Sequence, residues 1–467
     1  MDRFQGGLLR RSLRVELGPM LRLAGPVISA ELGWMAMGVV DTIFVGRLGA
    51  EAIGAVSLGN ALYFAVAIFG MGLLLGLDTL VSQAYGAGRT EECHDWLVQG
   101  LYLVAVIAPL AMLGLWAAIP LSDQLGLHPV VLAQAKPFLK ALTWGTPALF
   151  LYAALRRYLQ GMGVVQPIMF ALVSANLVNA AADWVLIYGR LGFPAMGVTG
   201  SGWATAFSRC YMAGFLLVYV IYRDVWNQSG FLRARFAPRF GSIVRLLVIG
   251  LPAAVHVTLE VGVFAAATTL AGRLDPVSLA AHHVVLDVAS VTFMIPLGLS
   301  SAGAVRVGQA LGRGEPAAAG RAGWIAVILG AAFMTAAGLV MAAFPRALAS
   351  LFTTDAEVIA QAATLMIVAS AFQLFDGLQG VSTGTMRGAG DTRTPVVCNL
   401  AAYWGVGLPL GYLLTFTAGH GVIGLWIGLA TGLGASGIAL LFAWNRKADA
   451  LARGEFALAG AGAGAGH

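Results

Sequence analysis

The sequence predicts an all-α polytopic membrane protein with twelve transmembrane helices. Of its 467 residues, 59% are hydrophobic and 11% are charged, whereas soluble proteins carry about 25% charged residues. The apolar runs are long enough for a helix to cross a hydrocarbon core of roughly 30 Å. Because these runs do not alternate with a period of two residues, an outer-membrane β-barrel is excluded.

The twelve predicted spans form two lobes of six helices that repeat each other at an offset of 226 residues. Pro26 matches Pro252, and the tripeptide from Gly46 matches the tripeptide from Gly272. Six helices is an even number, so both lobes have the same orientation and are related by a pseudo-twofold axis along the membrane normal. Such parallel repeats, with a site at their interface, are typical of secondary transporters.

Charge and polarity divide the chain further. We predict an amphipathic cytoplasmic segment (1–18), an N-lobe (19–222), a cytoplasmic linker (223–241), a C-lobe (242–445) and a disordered cytoplasmic tail (446–467). With the N-terminus inside, 21 basic residues lie on the cytoplasmic side and six outside. The positive-inside rule therefore predicts a multi-pass protein of the inner (plasma) membrane with both termini in the cytoplasm. The basic residues form no stripe that would bind nucleic acid.

The first span carries the most informative polar residues. Asp41 lies inside an apolar run, where a charged group costs at least about 2.5 kcal/mol and by default marks a functional site. The alternative is a carboxylate near the helix end that reaches the interface. Pro26 is expected to kink the same helix, because it lacks the backbone donor and its ring clashes with the preceding turn.

The fifth predicted span, approximately residues 165–189, carries polar residues on one helix face. Asn176, Asn179 and Asp183 are spaced three and four residues apart, which puts them on one side of a helix. Together with Asp41 they would form a site of hard oxygen atoms suited to a proton or a small cation. The alternative is a polar seam that hydrogen-bonds neighbouring helices.

The C-lobe also carries acidic residues within its predicted spans, although not at positions that match those of the N-lobe. Glu260 lies in span seven, and Asp376 lies in span ten with Gln373 and Gln379 on either side. Carboxylates inside a membrane are candidate proton carriers, and buried structural pairing is the alternative. Asp287 is a weaker candidate, as are Glu31 and Asp78. Arg209 is a possible counter-charge for any of these groups. His282 and His283 have no third ligand for a metal ion and are interpreted as packed or loop-facing residues.

Several segments resemble the multidrug and toxic compound extrusion (MATE) family, in particular its NorM-type branch. The resemblance is collinear from about residue 20 to 445 and rests on five stretches: VVDTIFVGRLG from Val39, SQAYGAG from Ser82, LVNAAADWVLIYG from Leu177, AAHHVVLDVASVTFMIPLGLSSAGAVRVGQALGRG from Ala280 and TMRGAGDTRTP from Thr385.

The resemblance implies residue roles. It carries over Asp41, Asn179 and Asp183 as an N-lobe site for protons or Na⁺ and adds Thr205, a hydroxyl on span six. It also implies that bending of the first helix at Pro26 accompanies protonation of Asp41. Glu260 and Asp376 carry over as C-lobe proton or cation groups. Phe372 departs from the pattern, because some relatives have a tyrosine there.

From these observations we predict a secondary active antiporter without a cofactor, not an enzyme. It would export small organic, drug-like compounds, often bulky and cationic or amphiphilic, in exchange for protons or sodium. The predicted mechanism is alternating access between the two lobes of a monomer in the lipid bilayer. A flippase for lipid-linked or amphiphilic substrates is the alternative. No HExxH or GxSxG motif supports an intramembrane enzyme.

Overall fold

The computed structural model describes residues 2–125, 129–228, 230–234 and 236–454. In the first half of the chain the α-helices are α1 (Asp2–Gly46), α2 (Ala50–Leu73), α3 (Gly76–Gly86), α4 (Thr90–Leu121), α5 (Pro129–Trp144), α6 (Thr146–Gly161), α7 (Gln166–Tyr188) and α8 (Val198–Asn227). Two short 3₁₀ helices follow α4 and α8, at Ser122–Leu125 and Phe231–Arg233.

In the second half the α-helices are α9 (Phe240–Ala271), α10 (Pro276–Gly312), α11 (Pro316–Ala343), α12 (Pro345–Ala349), α13 (Ala356–Gly388), α14 (Arg393–Asn399), α15 (Leu408–Tyr412) and α16 (Gly421–Ala452). Two π-helical segments, Leu400–Gly407 and Leu413–Thr417, flank α15. Helix α10 begins at an aspartate cap, where the Asp275 carboxylate accepts the backbone N–H of Ser278 at 2.8 Å.

The predicted fold class is confirmed. Eleven helical stretches within the described residues are long and apolar enough to cross a membrane, and the bent pair α5–α6 makes a twelfth. The described residues contain no β-strand. The protein is therefore a multi-pass α-helical membrane protein.

The fourth predicted span is broken rather than continuous. Helices α5 and α6 meet at Gly145 with a bend of 46°. Pro147 lies in the first turn of α6 and has no N–H to continue the hydrogen bonding of α5. Gly145 also lies against α8, where an added Cβ would come within 2.9 Å of the Ala206 Cα. Close approach to α8 and the missing donor together explain the break.

The structure bears on both predicted terminal segments. Helix α1 runs from Asp2 to Gly46, so the segment 1–18 is continuous with the first span, and its amphipathic, cytoplasmic character stays a prediction. The tail is predicted to be disordered from residue 446, but α16 continues to Ala452. Charged residues at these positions are compatible with helix, because Arg, Lys, Glu and Leu are good helix formers. Residues 455–467 of the predicted tail lie outside the described residues.

The chain divides into two compact units. One unit, the N-unit, comprises Ser29–Ala254, and the other, the C-unit, comprises Met1–Ile28 together with Val255–His467. The boundaries lie inside α1 and α9, each two residues after one of the repeated prolines, Pro26 and Pro252. The lobe bounds 19–222 and 242–445 stay a prediction about the sequence repeat.

Candidate functional site

Three helices of the N-unit bring the predicted polar residues together. Helix α7 packs against α8 and supplies Asn179 and Asp183, which lie one turn apart on the same face. Helix α1 supplies Asp41 and α8 supplies Thr205. We call these four residues the N-site. Each is buried: Asn179 and Asp183 have no exposed surface.

The Asn179 amide bridges the two carboxylates of the N-site. Its Nδ2 donates to Asp41 Oδ1 at 2.5 Å and to Asp183 Oδ2 at 3.1 Å. An amide nitrogen has two N–H groups, so one group serves each carboxylate. Asn179 therefore holds the two acidic side chains in one site.

Two hydroxyl groups on α8 complete the arrangement. Thr205 Oγ1 donates to Asp41 Oδ2 at 3.1 Å, with Ser201 O as a second acceptor at 3.0 Å. Ser208 Oγ donates to Asn179 Oδ1 at 3.0 Å. Because Ser208 meets the amide oxygen, it favours the orientation in which the Asn179 nitrogen faces the carboxylates.

The N-site retains acceptor capacity for a proton or cation. Asp183 Oδ1 is buried without a hydrogen bond within the described residues. Ser201 Oγ lies near this carboxylate but also completes no hydrogen bond there. Unpaired buried oxygens are costly, and two like charges in one dry site repel each other. One proton or small cation shared by Asp41 and Asp183 would relieve both costs.

No ion pair in the described part of the chain involves Asp41 or Asp183. Arg209, one turn after Thr205 on α8, acts on Asp41 electrostatically over a longer distance. Its guanidinium carbon lies 4.3 Å from the centroid of the Tyr63 ring, a cation–π contact. Arg209 therefore offsets part of the negative charge without occupying the site.

Other acidic residues of the N-unit are used in ion pairs. Arg156 on α6 donates to Glu31 on α1, and Arg157 donates to Asp78 on α3 at 3.1 Å. Asn176 does not join the N-site: its Nδ2 donates to the backbone oxygens of Gly33 and Leu172, each at 2.9 Å. The predicted polar face of α7 is thus divided between one structural amide and two site residues.

The C-unit brings a second pair of carboxylates together. Glu260 on α9 and Asp376 on α13 lie close enough to interact electrostatically. Gln379 lies beside Glu260, and the Tyr403 side chain lies within electrostatic range of both acids. We call these four residues the C-site. The structure brings Glu260 and Asp376 within electrostatic range of each other. Their role as proton or cation groups stays a prediction.

A buried histidine borders the C-site. His256 lies one turn before Glu260 on α9, and its Nδ1 is 3.9 Å from Glu260 Oε2. Its Nε2 is 2.5 Å from the Asn399 Nδ2 at the end of α14. Ser436 Oγ on α16 in turn donates to Asn399 Oδ1.

The remaining C-lobe candidates have other partners. Gln373 Nε2 donates to Thr292 Oγ1 at 2.8 Å, which ties α13 to α10. Asp287 is exposed and lies near His283 on its own helix. Phe372 packs edge-on against Trp426 with centroids 5.8 Å apart, inside the apolar core of the C-unit. None of these side chains is part of the C-site contacts described above.

His282 is a packed residue, as predicted from the sequence. Trp426 Nε1 donates to its Nδ1 at 3.2 Å, and Thr268 Oγ1 lies 2.9 Å from its Nε2. The ring also packs against Trp426, with centroids 5.7 Å apart.

Four residues that border the two sites were not predicted from the sequence: Ser208 at the N-site, and His256, Asn399 and Ser436 at the C-site. Ser208 follows Thr205 by three residues and therefore lies on the same face of α8, a signal that was available. His256 precedes Glu260 by four residues, which is also a same-face spacing. Asn399 and Ser436 gave no local signal, because they are 143 and 37 residues from their partners.

An apolar groove of about 710 Å³ lies in the C-unit between α9 and α15. Its wall includes Leu270, Pro409 and Tyr412 and contains no charged side chain. It therefore lacks the basic residues that an anionic lipid headgroup would need.

Comparison with known proteins agrees with this architecture. The MatE family model matches residues 26–185 and 252–413. "Probable multidrug resistance protein NorM" of Mesorhizobium japonicum is 38% identical, covering 93% of this chain and 94% of the relative. The protein with the same name in Brucella suis biovar 1 is 36% identical, over 92% and 93% of the two chains.

The fold also matches solved structures. The crystal structure of the eukaryotic MATE transporter AtDTX14 superposes with a TM-score of 0.86 at 22% identity, covering 95% of this chain and 99% of that one. The family model matches segments of both predicted lobes, and these segments contain all four acidic residues of the N-site and C-site: Asp41, Asp183, Glu260 and Asp376. The chain therefore belongs to the MatE family, and it is a multi-pass membrane transporter and not an enzyme.

Proposed function

We propose that this protein is a secondary active antiporter that exports bulky, often cationic organic compounds in exchange for protons or sodium ions. The N-site carries the proposal: two buried carboxylates, Asp41 and Asp183, share one amide donor and form no ion pair within the described residues. The names of the relatives, multidrug resistance proteins, support the class of substrate.

Charge balance links the N-site to transport. With both carboxylates ionised, the site is a strong attractor for a cation; with one proton or Na⁺ bound, the mutual repulsion is cancelled. A bound ion favours one conformation only to the extent that it binds that conformation more tightly. A difference in the ion affinity of the N-site between the two conformations would therefore couple ion binding to alternating access. Thr205 Oγ1 supplies a further oxygen ligand for Na⁺.

The C-site is proposed as a second ion-coupling position. Glu260 and Asp376 are close enough to repel each other when both are charged. The Gln379 amide atoms and the Tyr403 hydroxyl beside them are buried without hydrogen bonds among the described residues. A proton or cation on this pair removes the repulsion, as in the N-site.

Pro26 is proposed as the bending point of α1. The proline cannot donate a backbone hydrogen bond inside the helix, and the boundary between the two units falls two residues later. A bend at this position would change the environment of the segment that carries Asp41.

We further propose that the transporter is a monomer of the inner membrane with both termini in the cytoplasm. The bias of 21 basic residues to the cytoplasmic side supports this topology. Single cysteines introduced at residues 47 and 313, in a variant with Cys93, Cys210 and Cys398 replaced, test it. A membrane-impermeant maleimide should label intact cells at residue 47 alone, and the reverse pattern would refute the topology.

The function is tested by drug resistance in a susceptible host. Asp41→Asn keeps the side-chain shape but removes one of the two charges, so we expect resistance to fall to that of the empty vector at equal expression. Asp123→Asn is the matched control, because that carboxylate pairs with Lys136 at 2.5 Å on the surface. Full resistance in Asp41→Asn cells would refute the proposal.

A further inference from the structure

His256 is a buried titratable residue that the proposed ion-coupling pair does not use. It lies on α9 inside a predicted membrane span and is 5% exposed. Intramembrane ionisable residues are costly and usually functional. Its two ring nitrogens face different partners, and these partners determine which protonation states the site can hold.

The observed contacts define one state. An amide nitrogen only donates hydrogen bonds, so the Asn399 Nδ2 at 2.5 Å requires a lone pair on His256 Nε2. The ring proton is then on Nδ1, which faces Glu260 Oε2 at 3.9 Å. Ser436 completes the arrangement by donating to Asn399 Oδ1. This is a neutral imidazole with no unsatisfied donor at Nε2.

A rotation of the Asn399 amide by half a turn creates a second state. Asn399 Oδ1 would then face His256 Nε2 and accept a proton from it, while the amide nitrogen donates to Ser436 Oγ, a hydroxyl that can also accept. An imidazolium would donate from Nε2 to Asn399 Oδ1, and its Nδ1–H would face Glu260 Oε2 across 3.9 Å, a distance that side-chain rotation must shorten for a hydrogen bond. The Asn399 amide can therefore be the partner of His256 Nε2 in either charge state.

His282 shows why this arrangement is specific. Its Nδ1 accepts from the Trp426 indole, which has a donor and no acceptor. A proton on that nitrogen would place two N–H groups face to face, and no rotation of an indole removes the conflict. Among the described residues of the C-unit, His256 thus has a partner that can adapt to a change of charge, whereas His282 has one that cannot.

Titratable and charged groups near His256 lie on three elements. Glu260 lies one turn away on α9, and Arg387 on α13 acts on His256 electrostatically. Asp376 on α13 and Tyr403 on the π-helical segment interact with Glu260. An ionised Glu260 favours an imidazolium and Arg387 opposes it, so the charge of His256 depends on whether Glu260 carries a proton.

We propose that His256 is a proton-exchanging member of the C-site. In the exchange, side-chain rotation first shortens the 3.9 Å separation of His256 Nδ1 and Glu260 Oε2 to hydrogen-bond distance. The imidazolium Nδ1 then gives its proton to Glu260 Oε2, which leaves a neutral imidazole and a carboxylic acid; the reverse step restores the ion pair. The proposal rests on the proposed function, in which Glu260 is an ion-coupling group. It assigns protons to the C-site, because an imidazole N–H beside the carboxylate takes the place of an oxygen ligand that Na⁺ would need.

Nitrogen NMR of the full chain in lipid nanodiscs tests the proton exchange directly. The sequence has seven histidines, so ¹⁵N-histidine labelling gives few resonances, and His256→Gln and His282→Gln assign two of them. On acidification, the His256 signal should change from the neutral to the imidazolium pattern, and Glu260→Gln should shift this transition. The His282 signal should stay neutral. A His256 signal that stays neutral, or a transition unaffected by Glu260→Gln, would overturn the proposal.

Transport separates this proposal from the proposed function. In proteoliposomes with an imposed proton gradient, we expect His256→Gln to lower the initial export rate on the order of tenfold, within the range of coupling between two sites, and to alter its pH profile. His282→Gln should keep the wild-type profile. If the wild type exports but His256→Gln keeps the same profile, the role of His256 is refuted. If the wild type exports under neither a proton nor a sodium gradient, the antiport function is refuted, while the NMR transition still tests the exchange.

Discussion

Asn179→Ala removes the amide that joins the two carboxylates of the N-site. In the wild type, its Nδ2 donates to Asp41 at 2.5 Å and to Asp183 at 3.1 Å. The alanine variant leaves two acidic side chains with like charge and no shared donor. The ionised form of the site is thereby destabilised relative to the form that holds a proton or cation, and the ion should be released less readily on the inside.

The contacts give the size of the effect. Hydrogen bonds to charged groups are worth about 1.5–3 kcal/mol each, so two such bonds give an upper limit of about 3–6 kcal/mol. Water entering the space left by the amide will recover part of this. A remaining cost of about 1.4 kcal/mol already corresponds to a factor of ten in the release equilibrium. We therefore expect export to slow by at least roughly tenfold.

Asn176→Ala is the matched control for this measurement. Asn176 lies on the same helix and donates to two backbone oxygens instead of carboxylates. Such neutral bonds contribute only about 0.5–1.5 kcal/mol each to stability, so transport per folded molecule should stay near the wild-type rate. The assay is initial efflux of a fluorescent cation from proteoliposomes with equal amounts of folded protein. Equal losses in both variants, or a wild-type rate for Asn179→Ala, would refute the bridging role.

Three further predictions concern stability in detergent. Glu31→Gln leaves the buried Arg156 guanidinium without its charged partner and should destabilise the fold by about 3–5 kcal/mol. Adding Arg156→Met should recover much of the lost stability, and a double variant no more stable than the single one would contradict this. Gly145→Ala places a Cβ against the α8 backbone and should cost about 1–3 kcal/mol, whereas Gly214→Ala, which meets no atom within 4 Å, should be neutral or slightly stabilising in thermal unfolding. Hydrogen bonds from a hydroxyl and a backbone N–H hold the pKa of Asp275 below its ordinary value. The stabilisation of the fold by this carboxylate is therefore present above about pH 3.9 and is lost as the pH falls through the lowered pKa. Asp275→Ala should lower the melting temperature at neutral pH and make no difference in strong acid, and a difference that persists in strong acid would contradict the assignment.

The architecture was predictable because membrane spans leave a strong signal in one dimension. A run of apolar residues of sufficient length has few structures available to it in a bilayer. The break at Gly145 was not predictable from hydropathy, because the run continues through it. It depends on the close approach of α8 to the Gly145 backbone, a contact between segments that are distant in sequence.

The N-site was predictable in part for a related reason. Asn179 and Asp183 share a helix face through their spacing, and Asp41 is an acid in an apolar run. The role of Asn176 was not separable from that of Asn179 by spacing alone, since the difference lies in whether α1 offers a carboxylate or a carbonyl oxygen.

The spacing of His256 from Glu260 was visible in the sequence, but its second partner, Asn399, is 143 residues away. A single histidine on an apolar helix gives the same pattern whether it packs, as His282 does, or exchanges protons. The distinction depends on the partner of each histidine. His256 contacts Asn399, whose amide can rotate to offer either a donor or an acceptor, whereas His282 contacts the Trp426 indole, which has only a donor. Such a difference becomes visible only when the third dimension is known.

The central claim is that export is driven by an ion that binds at the N-site. The most direct measurement is substrate efflux from proteoliposomes containing wild-type protein or Asp41→Asn, with proton and sodium gradients imposed separately. Wild-type protein should accumulate substrate against its gradient when at least one ion gradient is imposed, and Asp41→Asn should not under either. Uphill export by Asp41→Asn, or wild-type efflux that does not respond to either gradient, would contradict the account.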